Sequence, residues 1–380
     1  MVMGNSVSSV ITGMAWSTPL GDDLSGVWSL LCAGRTAVSS LPSPHRLRTE
    51  AAAVVSQPPY GTWNPQDRLV ELTVRAVGAA AADAGIETTD PGLAMVWGTS
   101  FGAQLDSADE EPGDWAAVSA RRLDYPGRPL VVSTACSAGS DSLLVADALI
   151  RQGRAKTCIA GGVDILTEAK RLGHSALGTM SSTALRAFDE DHDGTLLGEG
   201  SAFLVLESAD SARSRGARIR AVLRGAGSAN DAFGLTAPDP SGSSVVAAIR
   251  RCLGHGGASP DQIAVISAHG TGTAVNDRVE AAGLERVFGG TDPGPVVFGT
   301  KGALGHSLGA TGSIEAVTTV LALSQGRVPP LAGLKSPMRE ISLHLSTRDN
   351  GKVSGDLGIS LTLGFGGFNT CLLFECPDAS

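Results

Sequence analysis

Short apolar runs alternate with longer stretches of helical periodicity along the first half of the chain. SSVITG (8–13), LAMVWG (93–98), LVVST (130–134) and TCIAGG (157–162) predict buried strands bounded by glycine or turn residues. Between them, Gln66–Gly85 and Ser137–Gln152 predict helices. In the first, Leu69, Leu72, Ala76, Ala79 and Ala80 fall on one stripe, and Gly85 ends it. Strand–helix alternation of this kind predicts an α/β fold with a mostly parallel sheet. The most loop-like stretch is Gln104–Gly113, QLDSADEEPG.

The pattern also repeats. VVSTACSAG leads into a helix ending ALIRQGR (148–154), and VVFGTKGALGHSLGATGS leads into one ending LALSQGR (321–327). Each copy reads strand, glycine-rich turn, small-residue helix, then Gln-Gly-Arg. The junction is expected near 208–220, after SAFLVLES and within the arginine-rich SARSRGARIR. Two similar halves, 1–210 and 211–380, are therefore expected in one compact unit with no flexible linker.

Composition narrows the function classes. With 380 residues, 42% of them hydrophobic, the chain can bury a large core. A net charge of −9 gives no global attraction to nucleic acid or an anionic membrane. No apolar run approaches the length of a bilayer span and no basic leader opens the chain, so a cytoplasmic protein is expected. The six cysteines show neither CxxC pairs nor zinc spacing and read as thiols, with no metal site.

One cysteine stands apart. Cys136 follows the strand LVVST and opens a helix, where the dipole and unpaired backbone N–H groups favour thiolate and can hold an oxyanion. Cys158, Cys371 and Cys376 read as buried structural residues. His269 in VISAHGTGT and His306 in TKGALGHSLGATGS each follow an apolar strand among glycines and threonines, where backbone can approach a ligand. His45, His174, His192, His255 and His344 read as ordinary surface or core histidines. One activated cysteine and two histidines at strand ends form a candidate catalytic constellation.

Three other patterns carry less. Gly98-Thr-Ser100-Phe-Gly102 matches G-x-S-x-G, yet QLDSADEEPG follows it where a serine hydrolase needs a helix. DEDHDGTLLGEG (189–200) has calcium-loop spacing through Asp189, Asp191 and Asp193, but Gly200 stands where the bidentate Glu belongs. Neither a Walker A nor a GxGxxG stretch is present.

Around these residues the sequence resembles the β-ketoacyl synthases of the thiolase superfamily, from VITGM (10–14) to GFGGFN (364–369). TACSAG, FDEDHDGTLLGEG, AHGTGT, TKGALGHSLGATGSIE and GFGGFN carry the likeness. Its finer flavour, in GSDSL, NDRVE (276–280) and GHSLGATGSIE, is that of discrete type II polyketide ketosynthases, with the fatty-acid elongating synthase as sibling. The resemblance implies a five-layered αβαβα fold of two duplicated halves. It implies an acyltransferase in which Cys136 takes an acyl group from an acyl-carrier-protein thioester. Decarboxylation of malonyl carrier protein then yields an enolate that attacks the acyl-cysteine in a Claisen condensation.

The likeness further implies His269 and His306 as donors to the malonyl thioester oxygen, and the Cys136 and Phe365 N–H groups as the acyl oxyanion hole. Lys301 and Glu315 would support the histidines, and Thr271 and Thr273 would contact the phosphopantetheine arm. That arm is carried by the substrate, so no cofactor of the chain's own is implied. Arg186, Arg68 and Arg75 would dock the acidic carrier protein. Phe101 and Phe365 would gate the acyl pocket. A homodimer, or a heterodimer with a chain-length factor, is implied. Only 31 residues separate Gly102 from Thr134, fewer than the family carries, which bears on the interface and the pocket. A non-elongating acyltransferase, a thiolase-type enzyme, a serine hydrolase at the G-x-S-x-G turn and a non-catalytic scaffold are the alternatives. Thiolase would want a second active cysteine late in the chain, where GFGGFN stands instead.

Overall fold

A computed structural model describes residues 9–56, 60–106, 111, 113–349 and 351–376. The first half contributes strands β1 (Ser9–Ser17), β2 (Leu93–Gly98), β3 (Leu130–Val132), β4 (Thr157–Asp164) and β5 (Gly200–Ser208). The second contributes β6 (Ala221–Asn230), β7 (Ile263–Ser267), β8 (Val296–Phe298), β9 (Leu357–Gly364) and β10 (Phe368–Glu375). Their spatial orders are β3-β2-β4-β5-β1 and β8-β7-β9-β10-β6, the same arrangement twice. Directions repeat too. β2 runs parallel to β3 and β4, and β7 runs parallel to β8 and β9. In each half the last two pairings are antiparallel. Ser9–Ile11 pairs with Ala221–Leu223, so the halves share one hydrogen-bonded sheet, extended at the far edge by His344–Leu345.

Helices fill the remaining layers. α1 (Pro65–Ala84) covers the first half from outside and α3 (Ser243–Gly256) covers the second; α2 (Ala138–Arg151) and α4 (Thr311–Gln325) lie between. The strands at the middle of each half are buried on both faces, and their period of two shows it. Phe203 and Val205 join α1's core with Leu69 and Val77, whereas Leu204 and Leu206 join Leu143, Ile150, Ile314 and Val317 in the middle. On β10, Leu372 and Phe374 face that middle layer and Leu373 faces Ile249 and Leu253 of α3. The result is the five-layered αβαβα fold.

α1 starts where expected, with Asn64 capping the Gln66 N–H at 2.8 Å, Pro65 at the first position and Gly85 closing it in the left-handed region. Ala79 departs from the expected stripe and is exposed, because the buried face is carried instead by Arg68, Val70, Thr73 and Val77 beside Leu69, Leu72, Ala76 and Ala80. The central helices touch through glycine. A Cβ at Gly139 would lie 2.8 Å from the Ser313 nitrogen, and one at Gly312 would lie 2.7 Å from the Ser140 nitrogen.

Within the loop-like stretch, residues 107–110 and 112 lie outside the described residues. The short segment beyond it forms the helix Asp114–Arg122, whose Trp115 stacks on Trp97 at 5.9 Å. At this end Phe101, Leu105, Leu130 and Val131 are exposed. Among the described residues no helix is long and apolar enough to cross a membrane.

Candidate active site

The repeated topology brings two equivalent turns together. After β3, Thr134–Ser137 enters α2 with Ala135 at φ +51°; before α4, Ser307–Ala310 has Leu308 at φ +49°. Such strain in a residue with a Cβ costs about 1–2 kcal/mol and persists only where its surroundings fix it. The first turn presents Cys136 and the second is preceded by His306. The His306 Nε2 lies 3.1 Å from the Cys136 sulfur, and Nδ1 lies 2.9 Å from the Thr311 hydroxyl. His306 is held by its backbone, donating from N to the Leu196 carbonyl and accepting from the Gly198 N–H.

His269 follows β7 and meets His306 edge to face, with ring centroids 5.4 Å apart. Its own N–H donates to Glu280 Oε1 at 2.6 Å, and the Gly270 N–H donates to Oε2 at 2.8 Å. From the other side Lys301 Nζ donates to the His269 carbonyl and to Glu315 Oε1, the latter at 2.6 Å. Burial pushes the Glu315 carboxyl up to about 8 and the Glu280 carboxyl up to about 7, with Lys301 opposing both shifts. The clamp therefore carries less negative charge than its formula. Glu280 was not foreseen; its signal is the NDRVE helix start three residues after the AHGTGT turn.

Burial, followed by the charge of Lys301, drives both His269 and His306 well below the usual histidine range, so both rings are neutral. The His269 Nδ1 is buried without a partner among the described residues. A proton there would be an unsatisfied buried donor, so it belongs on Nε2.

Cys136 is 5% exposed, and burial pushes its thiol up to about 12. Lys301 and the N–H groups of Phe365 and Cys136 pull the other way without offsetting it. Burial thus favours a resting thiol, against the thiolate expected from the helix terminus. Phe365 lines the same cavity as Cys136, and the N–H groups of both residues favour negative charge beside the sulfur.

A cavity of about 360 Å³ opens in front of this group, lined by Cys136, His269, His306, Phe365, Thr271 and Thr273 among others. The two threonine hydroxyls lie 2.9 Å apart. Also on its wall is His174, read from sequence as ordinary. Its ring stacks on Phe365 at 5.8 Å, and burial lowers it to about 4.

Other expected residues fall elsewhere. Arg68 cannot dock a partner: it is buried on the inner face of α1, paired with Glu199 and donating to the Val55 carbonyl. Arg75 is at the surface, bonded to Asp22 at 3.3 Å and near Glu71. Arg186 is half-buried and donates to the Asp191 carbonyl at 3.0 Å. Phe101 turns neither into the core nor into this cavity; it is 54% exposed in the single chain. Ser100 of the G-x-S-x-G turn bonds to Asp164, and no helix follows it directly. Asp189 and Asp193 spend their oxygens on Lys335, Ser336, Ser181 and Ser182, so they organise turns.

Comparison with known proteins agrees with this geometry. Beta-ketoacyl synthase, N-terminal domain, matches residues 8–212, and Beta-ketoacyl synthase, C-terminal domain, matches 220–335. The chain is 31% identical to a 3-oxoacyl-(acyl-carrier-protein) synthase 2 of Synechocystis sp., over 96% of this chain and 97% of the relative. It is 30% identical to the tetracenomycin polyketide synthase ketoacyl synthase alpha subunit of Streptomyces glaucescens, over 97% of each. The ishigamide ketosynthase/chain length factor structure is similar over 97% of this chain and 99% of that one, with TM-score 0.87 and 28% identity. The first alignment spans 415 residues against 380 here, so the relative carries residues this chain lacks. By sequence, by topology and by the chemistry that its two turns bring together, the chain belongs to the β-ketoacyl synthase family, the acyltransferases of fatty-acid and polyketide biosynthesis.

Proposed function

We propose that the halves 1–210 and 211–380 work as one cytoplasmic ketosynthase whose substrates arrive on an acyl carrier protein. In loading, His306 Nε2 takes the Cys136 proton as the sulfur attacks the acyl thioester, and the oxyanion is held by the Cys136 and Phe365 N–H groups. The departing carrier sulfur takes up that proton. In condensation, malonyl carrier protein loses carbon dioxide, and the enolate oxygen is held by N–H groups of His269 and His306. The enolate carbon attacks the acyl-cysteine, and Cys136 leaves as thiolate and regains a proton from solvent. The Thr311 hydroxyl can donate to Nδ1 or accept from it, so one ring position serves both tautomers that His306 needs. Lys301, Glu315 and Glu280 fix the histidine backbone, Thr271 and Thr273 hold the phosphopantetheine arm, and Phe365 flanks the acyl carbon. The arm belongs to the carrier, so the chain supplies no cofactor.

Carrier docking falls to Arg186, with Arg75 as a weaker contributor. The exposed edge of β3, with Leu130 52% exposed and Phe101 beside it, suits a second ketosynthase-fold chain: a homodimer, or a chain-length-factor partner. In such a dimer Phe101 could reach the acyl pocket only across the interface.

The observation that carries the reading is the 3.1 Å contact of His306 Nε2 with the Cys136 sulfur, on a cavity that His269 also lines. Its test is intact-mass measurement after incubation with a panel of acyl carrier proteins, followed by malonyl carrier protein. An acyl adduct on Cys136, then carbon dioxide and a β-ketoacyl product, is expected. An adduct that turns over with no carbon dioxide would establish the non-elongating acyltransferase instead.

A further inference from the structure

Two polar groups on the cavity wall have no use in the chemistry above. His174 sits on the helix Glu168–Ala176, docked by Lys170 on Asp164 and by Arg171 on the Leu41 carbonyl. Its ring is fixed on both sides, stacked on Phe365 with an interplanar angle of 24° and bonded through Nδ1 to the Thr179 hydroxyl at 2.9 Å. The Thr179 hydroxyl also donates to the His174 carbonyl at 3.2 Å. That hydroxyl has one proton, so both contacts are made together only if Nδ1 carries the imidazole hydrogen. Nε2 is then a bare acceptor, with no protein partner recorded among the described residues, on a ring that is neutral near physiological pH.

The second group is Thr195, 2% exposed and on the same cavity wall. Its N–H donates to the Thr179 carbonyl at 2.8 Å, which ties it to the turn that follows the His174 helix. Its Oγ1 is buried and has no hydrogen-bond partner among the described residues. A buried hydroxyl left unpaired is costly, and a substrate group that pairs with it removes that cost.

We propose that His174 and Thr195 form a subsite for a hydroxyl group carried close to the thioester carbonyl of the substrate. The pair offers one fixed acceptor and one hydroxyl able to donate. An alcohol answers both, giving its proton to His174 Nε2 and accepting from Thr195. A carboxylate cannot, because it has no proton and would face the imidazole lone pair. A plain alkyl chain leaves both unpaired. Cys136, His174, Phe365 and Thr195 line one cavity, and the Phe365 ring carries His174, so the subsite lies in the cavity that holds the nucleophile. The hydroxyl can come from the acyl group being loaded or from the extender.

This rests on the ketosynthase reading, and the test separates the two. Loading of Cys136 by butyryl and 3-hydroxybutyryl carrier protein is compared by intact mass, and condensation by malonyl and 2-hydroxymalonyl carrier protein. The hydroxylated member is expected to be preferred about tenfold in at least one comparison. His174→Phe, which keeps a ring to stack on Phe365, and Thr195→Val should each bring that ratio to near unity; Thr195→Ser should retain it. Loading of neither thioester would overturn the ketosynthase reading itself. Equal use of both members in both comparisons would overturn the subsite alone and leave only water there.

Discussion

The two halves have the same strand order and meet at two equivalent turns, yet only one carries a nucleophile. Ala135-Cys136-Ser137 and Leu308-Gly309-Ala310 each form one tight turn, with the same left-handed first residue, before a central helix. Position for position, Gly309 stands where Cys136 does. A Cβ at Gly309 would run into the Ser100 nitrogen and lie 2.7 Å from the Thr99 carbonyl carbon and 2.9 Å from Asp164 Oδ2. The second turn is closed by backbone from the first half, while the first turn opens on the cavity. Duplication thus supplied two sites for chemistry, and packing let one become a nucleophile while the other became the mount for His306.

The largest effect should come from emptying the open turn. Cys136→Ala should abolish covalent loading, read by intact mass, while malonyl carrier protein is still decarboxylated because the imidazoles of both histidines remain. Retained acyl adduct on that variant would mean that the nucleophile is elsewhere and that the turns are not differentiated as described.

Next come the histidines of the other half. His269→Ala should lower condensation about 10²–10³-fold, the usual loss for one oxyanion donor, with loading nearly intact. His306→Ala should slow both steps, because its Nε2 also faces the thiol. The two variants differ in pH dependence as well. With His306 present, loading should be flat through the neutral range and fall only well below the usual histidine pKa, as the ring protonates. Without it the thiol near 12 must ionise directly, so loading should climb about tenfold per pH unit across neutral pH. A flat profile in His306→Ala would show that the ring does not take the thiol proton.

Sequence reaches the repeat but not the asymmetry within it. The Gln-Gly-Arg at the end of each central helix centres on a left-handed glycine, Gly153 and Gly326, and that local need is visible in residue type alone. Cys136, His269 and His306 are legible for the same reason: each sits in a turn whose glycines or threonines announce close approach. His174 has no such frame. It reaches the cavity because Lys170 ties its helix to the end of β4 through Asp164 and Arg171 ties it to the Pro42 carbonyl, distant in sequence. Arg68 misleads in the opposite sense, since its partner Glu199 lies 131 residues further on, just before β5, and nothing near Arg68 in sequence signals burial. The thiol's protonation state is likewise a property of the packed interior; the helix terminus is local and dehydration is not.

A third prediction tests why the closed turn holds glycine. Gly309→Ala should cost about 1–3 kcal/mol, read as a lower Tm or urea midpoint, because the added methyl has only backbone and a buried carboxylate to displace. Ser137→Ala is the control on the open side, where only the hydroxyl's bond to the Phe368 carbonyl at 2.6 Å is lost. Equal loss at both positions would show that the turns are equally crowded.

The smallest effect on catalysis is expected at Arg186, which sequence groups with Arg68 and structure separates from it. Arg186 is half-buried, with its guanidinium on the Asp191 carbonyl, while Arg68 is locked on Glu199. Arg186→Glu should raise the carrier-protein KM several-fold, more at low salt, and leave kcat with a small thioester unchanged, since a charge at a docking surface acts on encounter. Arg68→Met should instead lower stability by about 3–5 kcal/mol, because Glu199 is left buried without its cation. Any fall in its activity should then follow the folded fraction, not the carrier concentration. Loss of carrier affinity in a folded Arg68→Met, with none in Arg186→Glu, would reverse the assignment and move the docking surface to α1.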